Sequence, residues 1–141
     1  MEAGGLAPPP DLSRATMAKS FAKLRALVME LHRRGVPVLA GTDGYGLELV
    51  RELELYVAAG MKPAEALAAA TIAPAKAYRL DGETGSIMVG KKAELALIDG
   101  DPSKRIGDLR QVEVVLREGR VMMADALRAA VGITGAPKRG E

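Results

Sequence analysis

The stretch that decides the fold is GVPVLAGTDGYGLELVRELELYVAAG, residues 35–60. Val36-Pro37-Val38-Leu39-Ala40 is a continuous apolar run rather than an alternating one, the pattern of a parallel strand covered on both faces. Gly41-Thr42-Asp43 stands at its carboxyl end. A helix follows at once, with Val50, Leu53, Tyr56 and Val57 on one face, Glu48, Arg51 and Glu52 on the others, and Gly60 as its stop. The stretch therefore reads as a buried strand that ends in an isolated carboxylate and hands the chain to an amphipathic helix. The glycines at 41, 44 and 46 let the backbone turn tightly around that carboxylate.

Working outward, the segment before it is a second amphipathic helix. From Ser13, a suitable N-cap, apolar Met17, Phe21, Leu24, Val28 and Leu31 recur at spacings of four and three, while Lys19, Lys23, Glu30 and Arg33 fall elsewhere. Gly35 ends it. Downstream, Pro63 suits the first turn of a third helix with an alanine-rich interior, and Pro74 opens a short fourth. After Leu80 the period changes from 3.6 to 2 and turns multiply. Strands are expected at 93–98, 112–117 and 120–123, the last two joined by a tight Glu118-Gly119 turn, with a terminal helix near 124–131. The organisation predicted is a flexible arm over 1–12, a helix-strand-helix segment over 13–80, a small β subdomain with its terminal helix over 81–131, and a flexible tail over 132–141.

Composition narrows the function classes. The 141 residues are 48% hydrophobic, enough for one core but about half of what a (β/α)8 barrel requires. A net charge of +2 comes from scattered basic residues nearly balanced by acids, and three Tyr with one Phe supply almost no stacking surface. Nucleic acid is therefore not expected as a partner. Apolar runs fall short of the roughly 20 residues that span a bilayer, and the first residues lack a signal-peptide core, so the expectation is a cytoplasmic protein with no membrane association. The absence of cysteine removes thiolate chemistry and cysteine-type zinc sites.

Among chemistry-bearing residues, Asp43 leads. It either descends from a catalytic carboxylate or, with Thr42, caps the helix that begins near Gly46. His32 lies in the last turn of the first helix, where a cation suits the helix dipole. Glu48, Glu52 and Glu54 have no histidine at i+4 and read as a solvated face. GSIMVGKK, residues 85–92, imitates a phosphate loop but ends in Lys where Ser or Thr belongs, and it precedes a strand instead of following one.

Taken in order, GVPVLAGTD, RELELYVAAGMKPAEALAAATIAPAKAYRL and GSIMVGKKAELALIDGDP resemble the carboxyl-terminal part of the amidohydrolase superfamily, closest to its imidazolonepropionase-like and prolidase-like members. The resemblance covers about residues 24–123. It implies an α/β fold, a partial (β/α)8-barrel segment made of the last helix-strand-helix units, followed by a small β-rich carboxyl-terminal subdomain. It also implies hydrolysis of C–N bonds in amides, cyclic amides or dipeptides. In that family a divalent metal, zinc or similar, is held by a His-x-His pair, a Lys or Glu and two further His, none of which has a counterpart here. Asp43 matches the eighth-strand Asp, a metal ligand and general base in an intact barrel. Glu94 replaces a usual Asp, and Lys62 a usual Ser or Thr.

One histidine and dispersed carboxylates lead us to expect no cofactor or metal in the isolated chain. A small metal-independent hydrolase of esters or phosphotriesters is the alternative, its site formed at an oligomer interface from Asp43 with Tyr45, Glu48 or His32 as auxiliary groups. A non-catalytic remnant or interaction module is another. The unpaired strand edge predicts a homodimer or higher homo-oligomer, with a small-molecule substrate if the protein is an enzyme.

Overall fold

A computed structural model describes residues 13–44, 47–135 and 137, and of Leu47 only the backbone. The arm over 1–12, Tyr45 and the end of the tail lie outside the described residues. Helix α1 runs Arg14–Arg33. Ser13 Oγ accepts the Thr16 backbone N–H at 3.2 Å, and the helix ends where Gly35 takes a φ of 80° and the Val36 N–H returns to the Leu31 carbonyl at 3.0 Å. Both ends are therefore built as the sequence indicates.

Residues 36–40 belong to no helix or strand. A strand is defined by its neighbours, and among the described residues this segment has none: its one link to the next layer is the Ala40 N–H donating to the Ala69 carbonyl at 2.8 Å. The expected parallel strand is thus not formed among the described residues. Val38 and Ala40 pack inward on the core while Val36 and Leu39 stay exposed.

Helices α2 (Leu47–Ala58), α3 (Pro63–Ala70) and α4 (Ile72–Ala77) follow, α4 starting two residues before Pro74. Glu65 in the first turn of α3 accepts the Lys62 backbone N–H at 3.0 Å, so the helix start is held by the reciprocal half of a capping box. Strands β1 (Leu95–Ile98), β2 (Val112–Arg117) and β3 (Arg120–Met123) make one antiparallel sheet in the order β1-β2-β3, closed by helix α5 (Ala124–Ala130). Glu118 and Gly119 have φ of 51° and 75°, the double left-handed geometry of a two-residue hairpin turn.

The core gathers Met29 of α1, Leu53 of α2, Met61, Ala66 of α3 and Ile106. Burying each large side chain contributes about 1.5–3 kcal/mol. Ile106 belongs to a 3₁₀ turn, Ile106–Arg110, between β1 and β2, an element the periodicity does not announce. The apolar stripe of α1 is not part of this core. α1 packs through Met29, and Met17, Phe21, Leu24 and Leu31 face solvent, because the described elements contact the helix on its neighbouring face.

Candidate functional site

Asp43 sits in the bend that follows the apolar run 36–40, exposed and just ahead of α2. Glu48, in the first turn of α2, lies against the backbone of that bend: a Cβ built on Gly44 would fall 1.0 Å from Glu48 Oε2. Glycine is therefore required at 44 unless Glu48 swings away. Neither Asp43 nor Thr42 donates or accepts a hydrogen bond with α2 among the described residues. Tyr45, between Asp43 and Glu48, lies outside them.

His32 is held elsewhere. Its Nε2 is 3.4 Å from Glu65 Oε2, the atom that also accepts the Lys62 N–H, so the imidazole ties the end of α1 to the start of α3. The Glu65 carboxyl is held below its ordinary value, first by that backbone N–H and then by His32 and Lys62. His32 and Asp43 thus lie on either side of residues 36–42 in the chain.

The glutamates of α2 do not form one solvated face. Glu54 is buried to 8% exposure and receives two hydrogen bonds from Arg110, from Nε at 2.7 Å and Nη2 at 2.9 Å, with Arg51 Nη1 at 3.2 Å. The Arg110 hydrogen bonds hold its carboxyl below the ordinary range against the opposing effect of burial. This fork joins α2 to the 3₁₀ turn and so to the sheet. Glu52 accepts the Tyr56 hydroxyl at 2.5 Å; burial, then that carboxylate, pushes the phenol well above its ordinary value. Sequence offered one clue to Glu54: on the helical wheel it borders Val50, at the edge of the apolar face. Its partner, 56 positions away, offered none.

A second buried carboxylate escaped sequence reading. Asp108, 2% exposed, accepts the Asp101 N–H at 3.0 Å and Arg105 Nε at 2.7 Å. It presses so closely on Gly100, φ 134°, that a Cβ there would meet Oδ2 at 2.4 Å. Both contacts brace the turn between β1 and the 3₁₀ turn. In the stretch 85–92, Lys91 Nζ is turned onto Ser86 Oγ at 2.7 Å and the Asp81 carbonyl, satisfying the loop's own acceptors.

A catalytic zinc takes three protein ligands and leaves one position open. Among the described residues there is no group of three or more His, Cys, Asp or Glu placed to hold a metal ion. The described residues therefore do not by themselves fit the metal that the resemblance implies. A cavity of about 710 Å³ lies between α3, α4 and β1; its walls are mainly apolar, among them Leu67, Pro74, Tyr78, Leu95 and Ile98, and Asp43 is not one of its lining residues. Among the described residues no helix is long and apolar enough to cross a membrane.

Comparison with known proteins places these features in a lineage. The sequence model of the amidohydrolase family matches residues 14–124. A 5-methylthioadenosine/S-adenosylhomocysteine deaminase of Thermoanaerobacter pseudethanolicus is 37% identical over 102 residues, which are 63% of this chain and 23% of that protein. The imidazolonepropionase of Brevibacillus brevis is 36% identical over 103 residues, 65% of this chain and 24% of its own. Among solved structures, a Xaa-Pro dipeptidase with methionine bound in its active site superposes with a TM-score of 0.67 at 27% identity, covering 78% of this chain and 27% of that one. The chain spans between 16% and 24% of the length of the curated relatives it matches.

Proposed function

Because the chain belongs to the amidohydrolase family, we propose that it serves hydrolysis of a C–N bond by contributing Asp43 to a metal-dependent site whose other ligands come from the remainder of a (β/α)8 barrel. In this reading residues 13–80 are the last helix-strand-helix units of that barrel. Asp43 is the carboxylate that would bind metal and accept the proton of the attacking water. The substrate class is an amide, a cyclic amide or a dipeptide.

The observation that carries the reading is the position of Asp43. It stands exposed just after the apolar run 36–40, inside the family match over residues 14–124, and outside the buried Glu54 and Asp108 networks. A carboxylate at the carboxyl end of a barrel strand faces the loops where such enzymes build their sites. A metal held there by Asp43 together with ligands from the rest of the barrel would supply an acidified water near neutral pH.

The test is a chimera in which this chain replaces the matching quarter of the Brevibacillus brevis imidazolonepropionase. Loaded with zinc and assayed on cyclic amides and dipeptides, it is expected to turn over and to lose activity on dialysis against a chelator. A soluble chimera inactive across that panel, or an isolated chain that hydrolyses it without metal, overturns the proposal.

A further inference from the structure

Beyond α5 the chain returns to the sheet. Gln111, directly before β2, donates its side-chain amide to the Pro137 carbonyl at 2.7 Å, across 26 positions of sequence. The anchor is firm, because the Gln111 backbone N–H donates to the Asp108 carbonyl at 2.8 Å and its carbonyl accepts the Asp99 N–H at 2.9 Å. Pro137 is half-buried there. The carbon of its carbonyl is bonded to the nitrogen of Lys138, so that residue must begin about 2 Å from the anchored oxygen. Lys138 and Arg139 lie outside the described residues, but their starting point is set by this hydrogen bond.

Gln111 also lines a cavity of about 310 Å³, together with Asp99, Glu113, Met123, Asp125 and Arg128. Three carboxylates there face one guanidinium, and that guanidinium is already engaged: Arg128 Nη1 bonds Asp125 Oδ1 at 2.5 Å, and Nη2 bonds the Val112 carbonyl at 2.8 Å. The cleft therefore keeps an excess of two negative charges. The first two residues beyond Pro137 carry two positive ones. Met123 offers the apolar surface along which the stem of a lysine or an arginine can lie while its charged head stays at the acids.

We propose that Lys138 and Arg139 occupy this cleft, so that the tail is a strap across the end of the sheet that ties β2 to α5. The hydrogen bond of Gln111 brings the tail to the mouth, and the charges draw it in. The strap closes an acidic cleft that would otherwise be open to cationic groups from outside the chain. Its hold depends on salt, because Glu113 is exposed and such attractions are screened. Every group involved lies between residues 99 and 139, so the strap stands apart from Asp43 and from the barrel reading.

Nitrogen-15 relaxation of the full chain reads the strap directly. At low salt the Lys138 and Arg139 amides are expected to show order parameters near the rigid-backbone value of about 0.85. They should fall below about 0.6 in salt on the order of 1 M, where the screening length is about 3 Å. Glu113→Lys should release the tail in the same way at low salt, and adding Arg139→Glu to that variant should restore it. Should Glu113→Lys not fold, Lys138→Glu with Arg139→Glu, which lie beyond α5, must release the tail while the sheet amides stay rigid. Order parameters below about 0.6 in the wild-type chain at low salt, or tail order that survives these charge reversals, overturn the proposal. So does order that appears only when the chain is concentrated roughly tenfold, which would place the tail of a second copy in the cleft.

Discussion

Two regions of this molecule are built on opposite principles. The region made by α2, α3, the 3₁₀ turn and the sheet closes on itself: Leu53, Ala66 and Ile106 are buried together, and the Glu54–Arg110 fork and Asp108 satisfy their charges internally. The region made by α1 and residues 36–44 is joined to it through Met29, Val38, Ala40 and the His32–Glu65 pair, but turns an apolar stripe and a carboxylate outward. One region spends its side chains on its own stability, the other presents them. The difference teaches that an apolar helical period reports which face is made for burial, and leaves open whether the burying partner is in the same polypeptide.

That contrast is breakable by substitution. The largest stability loss is expected in the closed region: Leu53→Ala, at a site 3% exposed, should cost about 3 kcal/mol and lower the melting temperature by roughly 10 °C. A melt within 2 °C of wild type, on the order of half a kcal/mol, would show that the core is not where the structure puts it.

Arg110→Met should cost somewhat less, about 2 kcal/mol, because it leaves the buried Glu54 carboxylate with Arg51 alone, while Arg110 itself keeps 28% exposure and some screening. Replacing both members, Glu54→Leu with Arg110→Met, should recover most of that loss. Chemical denaturation of the three variants measures it, and an additive double variant would mean the fork is not a coupled pair.

Acid probes the same fork. The folded Glu54 carboxyl lies below its ordinary value of 4.5, so its contribution is fully present above pH 4.5 and is lost as the pH falls through the lower folded value. Glu65, Glu83 and Asp101 are shifted the same way, so the wild-type slope alone is not diagnostic. The difference between wild type and Glu54→Gln is. It should shrink steadily below pH 4.5, and a constant difference down to acid unfolding would remove the fork from the account.

The open region should show the smallest effect of all. Leu24→Ala, at a side chain 59% exposed, is expected to change stability by less than about 0.5 kcal/mol in the isolated chain. A loss several times larger in the same melts would mean that the stripe is already covered.

Sequence reading was strongest where the signal is local. Ser13 and Gly35 bracket α1, Pro63 opens α3, and Glu118-Gly119 closes the β2–β3 hairpin, each through the backbone preference of one or two residues. It failed where the cause is distant. Glu54 was read as solvated because its partner is 56 residues away in a 3₁₀ turn with no periodic signature, and Asp108 is buried by a glycine-tight turn between β1 and β2. The apolar run 36–40 predicted a strand because residue type reports burial, whereas strand formation needs neighbours that the described residues do not contain. Of the candidate site, Asp43 was legible from its place after that run; Glu48's fold onto Gly44 and His32's engagement with Glu65 depend on tertiary approach.

The most direct test of the account is Asp43→Asn in the chimera, with turnover and thermal melting measured on the same preparation. Removing a water-activating carboxylate should lower kcat by roughly 100- to 10,000-fold. The melting temperature should stay close to that of the parent chimera, a change of no more than about 1 kcal/mol, because Asp43 is exposed and lies outside the buried networks. Turnover retained at the parent rate, or a variant that no longer folds, would contradict the claim that this residue is displayed for chemistry rather than for structure.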